Sequence, residues 1–491
     1  MATMLEEQRE REDKYEVDPD FAVPDLAEAL PADGRIERAT VDLDSVYYDT
    51  ADNDLFRHHV TLRRRTGGVD AGWHLKVPAD KARTEIRLPL DDGDSVPAEL
   101  ADLVAGVSLG KPLHPVAMIS TVRSAHRLYD KQNTLLAEVD DDRVRATAVG
   151  ESARASEWRE VEVELGEGGD EKLLKRIGKR LTRGDAHPSG RASKLARALS
   201  ADSDQVLTAG EDGTARAVVL AYVDAQIQAI VGGDVALRRG HDPVHPTRVG
   251  IRRLRSILRV YGPLFDSASR DWMDTELSWY AGLLGEVRDR QVQRERFATA
   301  VAGLPTELVL GPVAARIEND LLSEQLHHRG AVMEALSGDR YRTLLTVLTS
   351  WRSDPPLTEA AEEPKAVKRG VRRAGKKADK RVAVAAVAAV GTEDEALHRA
   401  RKACKRARYA AELGAPVLGK KKSKKRVKKY KKLQEVLGEH QDSVVAAGIL
   451  RTLGARAGST PGENGFTFGL LYGLEQQAAE NARIRASHLS T

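Results

Sequence analysis

The sequence predicts an α+β protein of two domains, an antiparallel β domain followed by an all-helical one. Four observations carry this reading. Short alternating segments fill the first 200 residues: VDLDSVYYD, HVTLRRR, WHLKVP, TEIRLPL, TLLAEVDDD and WREVEVEL. From about residue 215, long stretches rich in Ala, Leu, Arg and Glu replace them. The charge changes with the pattern, from 39 Asp+Glu against 30 Lys+Arg in residues 1–200 to 35 against 47 in residues 201–491. Finally, the second part repeats itself. A chain of 491 residues exceeds one hydrophobic core in any case.

Composition removes several classes. No run of eighteen apolar residues occurs, so no membrane span is expected. The opening MATMLEEQREREDKYEV is charged throughout, unlike the apolar centre of a secretory signal. A single cysteine, Cys404, permits no internal disulfide and suits a reducing compartment. The expected location is the cytoplasm.

Along the first part, charged residues alternate. Glu10, Glu12 and Lys14 share one face of a strand; Arg63 and Arg65 share another. Arg83, Glu85 and Arg87 alternate on a third, and Glu160, Glu162 and Glu164 on a fourth, with Val161 and Val163 on its other side. In an open sheet such faces simply meet solvent. In a closed barrel they line a lumen, and the apolar faces pack outward on helices such as one expected around Asp170–Leu181. A lumen of arginines and carboxylates suits a metal–polyphosphate substrate, since arginines grip phosphate oxygens and carboxylates hold a divalent cation.

The polar, aperiodic SADSDQVLTAGEDGT predicts a linker over 200–214. Pro, Gly and basic residues predict a second linker or mobile loop over roughly Ser353–Lys380, between two copies of a helical repeat. In the first copy His245, Arg248, Arg252 and Arg255 stand at i, i+3, i+7 and i+10, continuing to Arg259. His398, Arg401, Lys405 and Arg408 repeat that spacing 153 residues later. Gly285 and Asp289 recur at the same offset as Gly438 and Asp442, each glycine preceded by leucine. On a helix each set forms a cationic stripe. No carboxylate falls within either stripe, and only Arg408 has one along its line, Glu412. Asp289 and Asp442 either orient the arginines or cap and link helices.

The run Gly419–Lys432 holds ten Lys or Arg among fourteen residues, which binds any polyanion in a salt-dependent way. Aromatic residues make up 4% of the chain and Tyr430 stands alone in the run, so stacking platforms for single-stranded nucleic acid are missing. Nucleic acid is expected only as a non-specific partner.

The segments HPTRVGIRRLRSILRVYGPLF with LLGEVRDRQV, and LHRARKACKRARYAAEL with LQEVLGEHQDSVVA, resemble the CHAD (conserved histidine α-helical) domain over residues 215–491. The resemblance implies two four-helix bundles around a basic channel for inorganic polyphosphate. The two stripes would supply its ligands, with Arg253, Lys402 and Arg406 beside them. The first part resembles the CYTH, or triphosphate tunnel metalloenzyme, superfamily over residues 8–199. The match runs from Glu10–Lys14 through YYDT, LRRR, WHLKVP, RTEIRL, the Arg123–Arg127 strand, EVDDD and REVEVEL to SGRASK.

That second resemblance implies an eight-stranded antiparallel tunnel with flanking helices, binding triphosphate with Mg2+ or Mn2+. By position, Lys14, Arg63, Arg65, Lys76, Arg83, Arg123 and Lys194 would bind phosphate. Glu10, Glu12, Glu162 and Glu164 would hold metal together with Asp142 and Glu160, although EVDDD leaves Asp140 or Asp142 open. Glu85 would bind metal or orient a base, and Glu85 and Lys14 are the expected catalytic residues. The expected activity is hydrolysis of inorganic triphosphate or short polyphosphate, with longer polymer held by the helical domain. Two other readings stay open: a non-catalytic polyphosphate binder or granule-targeting protein, and a nucleotide or thiamine triphosphate enzyme. Expected partners are inorganic polyphosphate and triphosphate, and polyphosphate granules are a further expected location.

Overall fold

Among the described residues, the alternating segments of the first part pair into one antiparallel sheet of ten strands. The computed structural model describes residues 6–488 except 32, 80, 81, 92, 151, 152, 192, 200–213 and 389–391. The expected linker over 200–214 therefore lies outside the described residues, Thr214 excepted. The chain divides into two units, Met1–Val206 and Leu207–Thr491.

The strands are β1 (Glu6–Glu10), β2 (Glu12–Glu16), β3 (Arg35–Asp49), β4 (Thr61–Thr66), β5 (Gly72–Ala79), β6 (Ala82–Leu88), β7 (His114–Tyr129), β8 (Leu135–Ala148), β9 (Arg154–Leu165) and β10 (His187–Pro188). Their order is β1-β6-β5-β4-β3-β7-β8-β9-β2-β10. Ten strands replace the expected eight because the first is interrupted at Arg11 and a two-residue strand, β10, pairs with β2. The interruption has a consequence for topology. Its two halves pair at opposite ends of the order, β1 with β6 and β2 with β9, so a single residue of chain joins those ends.

Strand period then decides what faces where. On β9 the glutamates 160, 162 and 164 share one face, while Val161 and Val163 are fully buried on the other. Those valines pack with Val139, Tyr15 and the helix α4 (Glu171–Arg183), through Leu173, Ile177 and Leu181. The Asp170 side chain caps α4 by accepting from the Leu173 amide at 2.7 Å. Each such fully buried aliphatic side chain contributes about 1.5–3 kcal/mol. The apolar core of this unit thus lies outside the charged face. Toward one end the inner face itself turns apolar: Tyr47, Ala117, Ile119, Val144, Ala146 and Trp158 cluster with Leu195 and Ala198 of α5 (Lys194–Leu199). Short helices α1 (Asp54–Arg57), α2 (Ala98–Leu103) and α3 (Ala105–Ser108) complete the unit.

The second unit is helical: α6 (Ala215–Arg238), α7 (Val244–Val260), α8 (Ser267–Ala302), α9 (Val313–Ser337), α10 (Asp339–Ser353), α11 (Ala366–Ala386), α12 (Glu393–Leu413), α13 (Ala415–Leu418), α14 (Lys420–Ala457) and α15 (Phe466–His488). Shifting α7, α8 and α9 by the 153-residue offset places them on α12, α14 and α15. The loop expected over Ser353–Lys380 is corrected, since most of that stretch is α11. Ala366, Val367, Gly370, Val371, Ala374, Ala378 and Val382 form a buried helical stripe under the basic residues. Gly370 belongs to it because Tyr261 packs directly on its backbone, where a Cβ would come within 2.1 Å of the ring. α6 is long and apolar enough to cross a membrane by composition, and 56% of its most apolar window is buried inside the unit. Its interior role explains the apolar sequence.

Candidate functional site

The inner face of the sheet gathers most of the charged residues picked out by alternation. β8 and β9 place Asp142 opposite Glu160, and Asp140 opposite Glu162. β2 sets Lys14 opposite Glu162 on the other side. Arg123 on β7 forks onto Asp142 through Nε at 2.8 Å and Nη2 at 2.7 Å; Nη2 also reaches Glu162 at 3.2 Å and Nη1 pairs with Asp140. Lys194, at the start of α5, reaches Asp142 at 2.9 Å and both Glu160 and Glu162 at 2.8 Å. Lys14 donates to Glu12 at 2.9 Å and also to Glu162.

These contacts set the charges. Burial by itself would raise the Glu162 carboxyl, but Lys14, Lys194 and Arg123 hold it well below the usual range. Asp140 goes the other way, since burial beside Asp142 outweighs Arg123 and pushes it well up. Its Oδ1 is buried and has no hydrogen-bond partner among the described residues.

A second cluster spans β4, β5 and β6. Glu85, fully buried, accepts from His74 Nδ1 at 2.8 Å and lies 3.6 Å from both Arg63 and Lys76; Arg87 also pairs with it. Despite burial, His74, Lys76 and Arg63 keep it ionised at far lower pH than an ordinary glutamate. Lys76 also pairs with Glu10 at 2.8 Å. Arg65 turns to Asp70 at 2.7 Å and Ser45 at 3.4 Å. Arg83 is half-buried opposite Glu10 in the β1–β6 register. Glu164 sits among Glu10, Glu12 and Glu85; burial and the Glu10 charge push it up to about 7, against Lys76.

Asp142, Glu160 and Glu162 each offer an oxygen within 4.8 Å of the others. Three carboxylates are the hard donors that a small divalent cation selects. The Lys194 ammonium bonds all three, so the cluster already holds a positive charge at its centre. With the orphaned Asp140 oxygen nearby, the donor set fits a divalent metal.

In the helical unit α7 and α12 pack together, bringing the two stripes to one place. Arg248 donates to the Gly285 carbonyl at 3.0 Å and to Asp289 at 3.2 Å. Arg401 takes the matching position over Gly438, 3.9 Å from Asp442. Each arginine lies directly over its glycine, at ordinary contact distance from where a Cβ would stand. Beyond these, Arg252 and Lys405 form no ion pair among the described residues, and the Arg252 and Arg401 Nε atoms are buried without partners. Burial, Arg401 and Arg252 together push Lys405 down to about 7. His245 and His398 flank this group, and His398 Nδ1 lies 3.0 Å from Gln441. The far end of the stripes differs. Arg255 and Arg259 both pair with Asp274 of α8, at 2.9 and 2.7 Å, and Arg408 pairs with Glu412 at 3.0 Å.

A CYTH domain model matches residues 8–198 and a CHAD domain model residues 221–451. The chain belongs to the CYTH–CHAD family. An uncharacterized protein of Mycobacterium tuberculosis, found in two strains, is 38% identical over 494 residues, spanning 96% of this chain and 94% of its own. Among solved structures, PptA from Streptomyces chartreusis is 19% identical, covers 56% of this chain and 98% of its own, and has a TM-score of 0.48. The CHAD domain from the plant Ricinus communis is 25% identical over 56% of this chain and 92% of its own, with a TM-score of 0.44.

Sequence reasoning passed over several members of the CYTH lumen. Tyr47 accepts from Arg63 Nη1 through its phenol oxygen at 3.3 Å, and Arg63 and Arg65 lower that phenol despite burial. Alternation gives the signal, because Tyr47 lies opposite Arg63 and His74 opposite Arg63 on its other side. In the CHAD unit Asp274 left no such signal, as it comes from α8 and meets the stripe only through packing.

Proposed function

We propose that the CYTH unit hydrolyses inorganic triphosphate or short polyphosphate and that the CHAD unit binds longer polyphosphate. A CYTH tunnel fold beside a CHAD domain fits triphosphate or polyphosphate binding and hydrolysis. One observation carries the finer reading: cations and carboxylates interleave on the inner face of the sheet, around the cluster Asp142–Glu160–Glu162. Cations alone would suit a bare anion, whereas carboxylates in such number suit a substrate that arrives with a metal.

In this reading Lys14, Arg63, Arg65, Lys76, Arg83, Arg123 and Lys194 hold phosphate oxygens and neutralise charge that develops as the terminal P–O bond breaks. Asp142, Glu160 and Glu162, with Glu10, Glu12 and Glu164, would hold Mg2+ or Mn2+, which when bound offsets the negative charge of the substrate's oxygens. Glu85, kept ionised by His74, Lys76 and Arg63, orients the cations around it and an attacking water. It is too weak a base to carry a proton far. The apolar cluster of Ile119, Val144 and Trp158 with α5 closes one end of the inner face to ions, so chain ends enter from the other. In the CHAD unit, taken as two four-helix bundles, Arg248, Arg252, Arg401 and Lys405 with His245 and His398 form the open part of the polyphosphate groove. Arg255, Arg259 and Arg408 engage only where polymer displaces their carboxylates.

The test is phosphate release from tripolyphosphate with Mg2+ or Mn2+, comparing wild type with Glu10→Ala/Glu12→Ala. Metal-dependent release that the double variant loses by a hundredfold or more is expected. No release at any pH with either metal would leave a binding protein without catalysis.

A further inference from the structure

A second strongly basic surface lies apart from the histidine–arginine stripes, on α11 and the first half of α14. Helix α11 carries eight Lys or Arg and one carboxylate, Asp379. Residues 420–432 of α14 carry ten and no carboxylate. The two segments share one end of the helical unit. Val371 of α11 packs on Gly414, just before α13 and the start of α14, and Asp379 accepts from Lys429 at 2.8 Å and from Tyr430 Oη at 3.3 Å. The same end holds the C-terminus of α7, where Arg373 donates to the Val260 carbonyl. The stripe of α7 therefore runs toward this surface.

Ordinary solvation does not account for it. Lys420, Lys421 and Lys422 occupy the first turn of a helix, where the backbone dipole disfavours positive charge, and no acidic residue offsets them. Lys420 with Lys424, Lys421 with Lys425, Lys424 with Lys428 and Lys425 with Lys429 repel at i,i+4 spacing. Relief is sparse: Lys429 with Asp379, Lys431 with Glu435 and Arg369 with Glu363 are the ion pairs of these cations among the described residues. Nearly all the cations are exposed, so their charge faces solvent. The lone aromatic of the run, Tyr430, is buried at 5% exposure and offers no ring for a base.

We infer that this α11–α14 surface is a second contact for long inorganic polyphosphate, engaging chain that extends beyond the groove of α7 and α12. The inference rests on polyphosphate as the ligand of the helical unit. A run of 13 residues covers about 18–20 Å of helix, so only a polymer long enough to leave the groove gains from it. Contact of this kind follows charge density and salt, since it lacks any reader of bases.

The test uses the full chain with Lys421→Gln, Lys424→Gln, Lys425→Gln and Lys428→Gln combined, all exposed positions, with thermal unfolding as the folding control. Affinity is measured over a salt series for polyphosphate of about a hundred phosphates, for a short chain of about ten, and for duplex DNA of equal charge. The expected result is at least tenfold weaker binding of long chain, a shallower salt slope, and short-chain affinity within twofold of wild type. Unchanged long-chain affinity would overturn the inference, as would equal losses for long and short chains. Tighter wild-type binding of duplex DNA than of long polyphosphate, lost in the variant, would assign the surface to nucleic acid instead. Arg252→Ala/Lys405→Ala is the companion variant. If it binds short chain as well as wild type does, the groove reading fails, whatever the lysine variant shows.

Discussion

The two units hold similar side chains under opposite electrostatic regimes. On the inner face of the sheet nearly every cation meets a carboxylate: Lys194 touches three, Arg123 three, and Lys14 two. In the helical groove Arg252 and Lys405 form no ion pair among the described residues, and burial beside Arg401 and Arg252 pushes Lys405 down to about 7. Buried ion pairs are costly to form yet costlier to break, because removing one partner strands the other. A paired lumen is therefore self-sufficient without ligand, and a ligand must trade partners with it. The unpaired groove stores positive potential that only an anion relieves. That contrast suits an enzyme pocket for a metal-bearing chain end on one side and a holding site for bare polyanion on the other.

The largest expected effect breaks the pairing. Glu162→Ala takes one carboxylate from each of Lys14, Lys194 and Arg123, and should destabilise the first unit by about 3–5 kcal/mol in chemical unfolding. Lys405→Ala in the groove removes repulsion from Arg401 and Arg252 along with the weaker attraction of Asp442, and should leave stability unchanged or slightly higher. If Glu162→Ala proves neutral, the lumen is not held by its ion pairs.

Next is the pH dependence of polyphosphate binding. Lys405 titrates at about 7 in the free protein, and bound phosphate raises it, so binding takes up a proton above pH 7. Affinity should strengthen by up to about tenfold per unit as pH falls from 9 to 7, then level off. His245 and His398 are held below the ordinary histidine value by burial and nearby cations, so they stay neutral across that window. Lys405→Arg should flatten the profile; a slope that survives it would implicate another group. Stability of the free protein runs the opposite way. The unfolded lysine keeps its proton to higher pH, so stability rises between pH 7 and 10.5.

The smallest effect tests the paired end of the stripes. Asp274→Asn frees Arg255 and Arg259, and should tighten long-polyphosphate binding by about two- to fivefold, in line with a half-exposed ion pair. Isothermal titration at low salt reads it, and weaker binding would show that Asp274 positions these arginines for phosphate.

Much of this is legible in the sequence. Period-two charge on Glu160–Glu164 with valines between them gives both faces of β9, because a strand cannot present neighbours on one side. The 153-residue repeat pairs Arg248 with Arg401, and each lies over the glycine that recurs with it. Local pattern misled over Ser353–Lys380, where Gly370 looks like a loop residue until Tyr261 is seen lying on it. The apolar composition of α6 has its reason in burial.

What the sequence determined is therefore which residues share a face: the inward charges of the strands and the cationic stripes of α7 and α12. Those depend on backbone period, a local property. What tertiary structure alone decided is which of those charges are neutralised. Asp274 reaches Arg255 and Arg259 from another helix, and Asp142, Glu160 and Glu162 converge on Lys194 from α5. Coulomb energy depends on distance through space and on burial, and neither is written in the spacing along the chain.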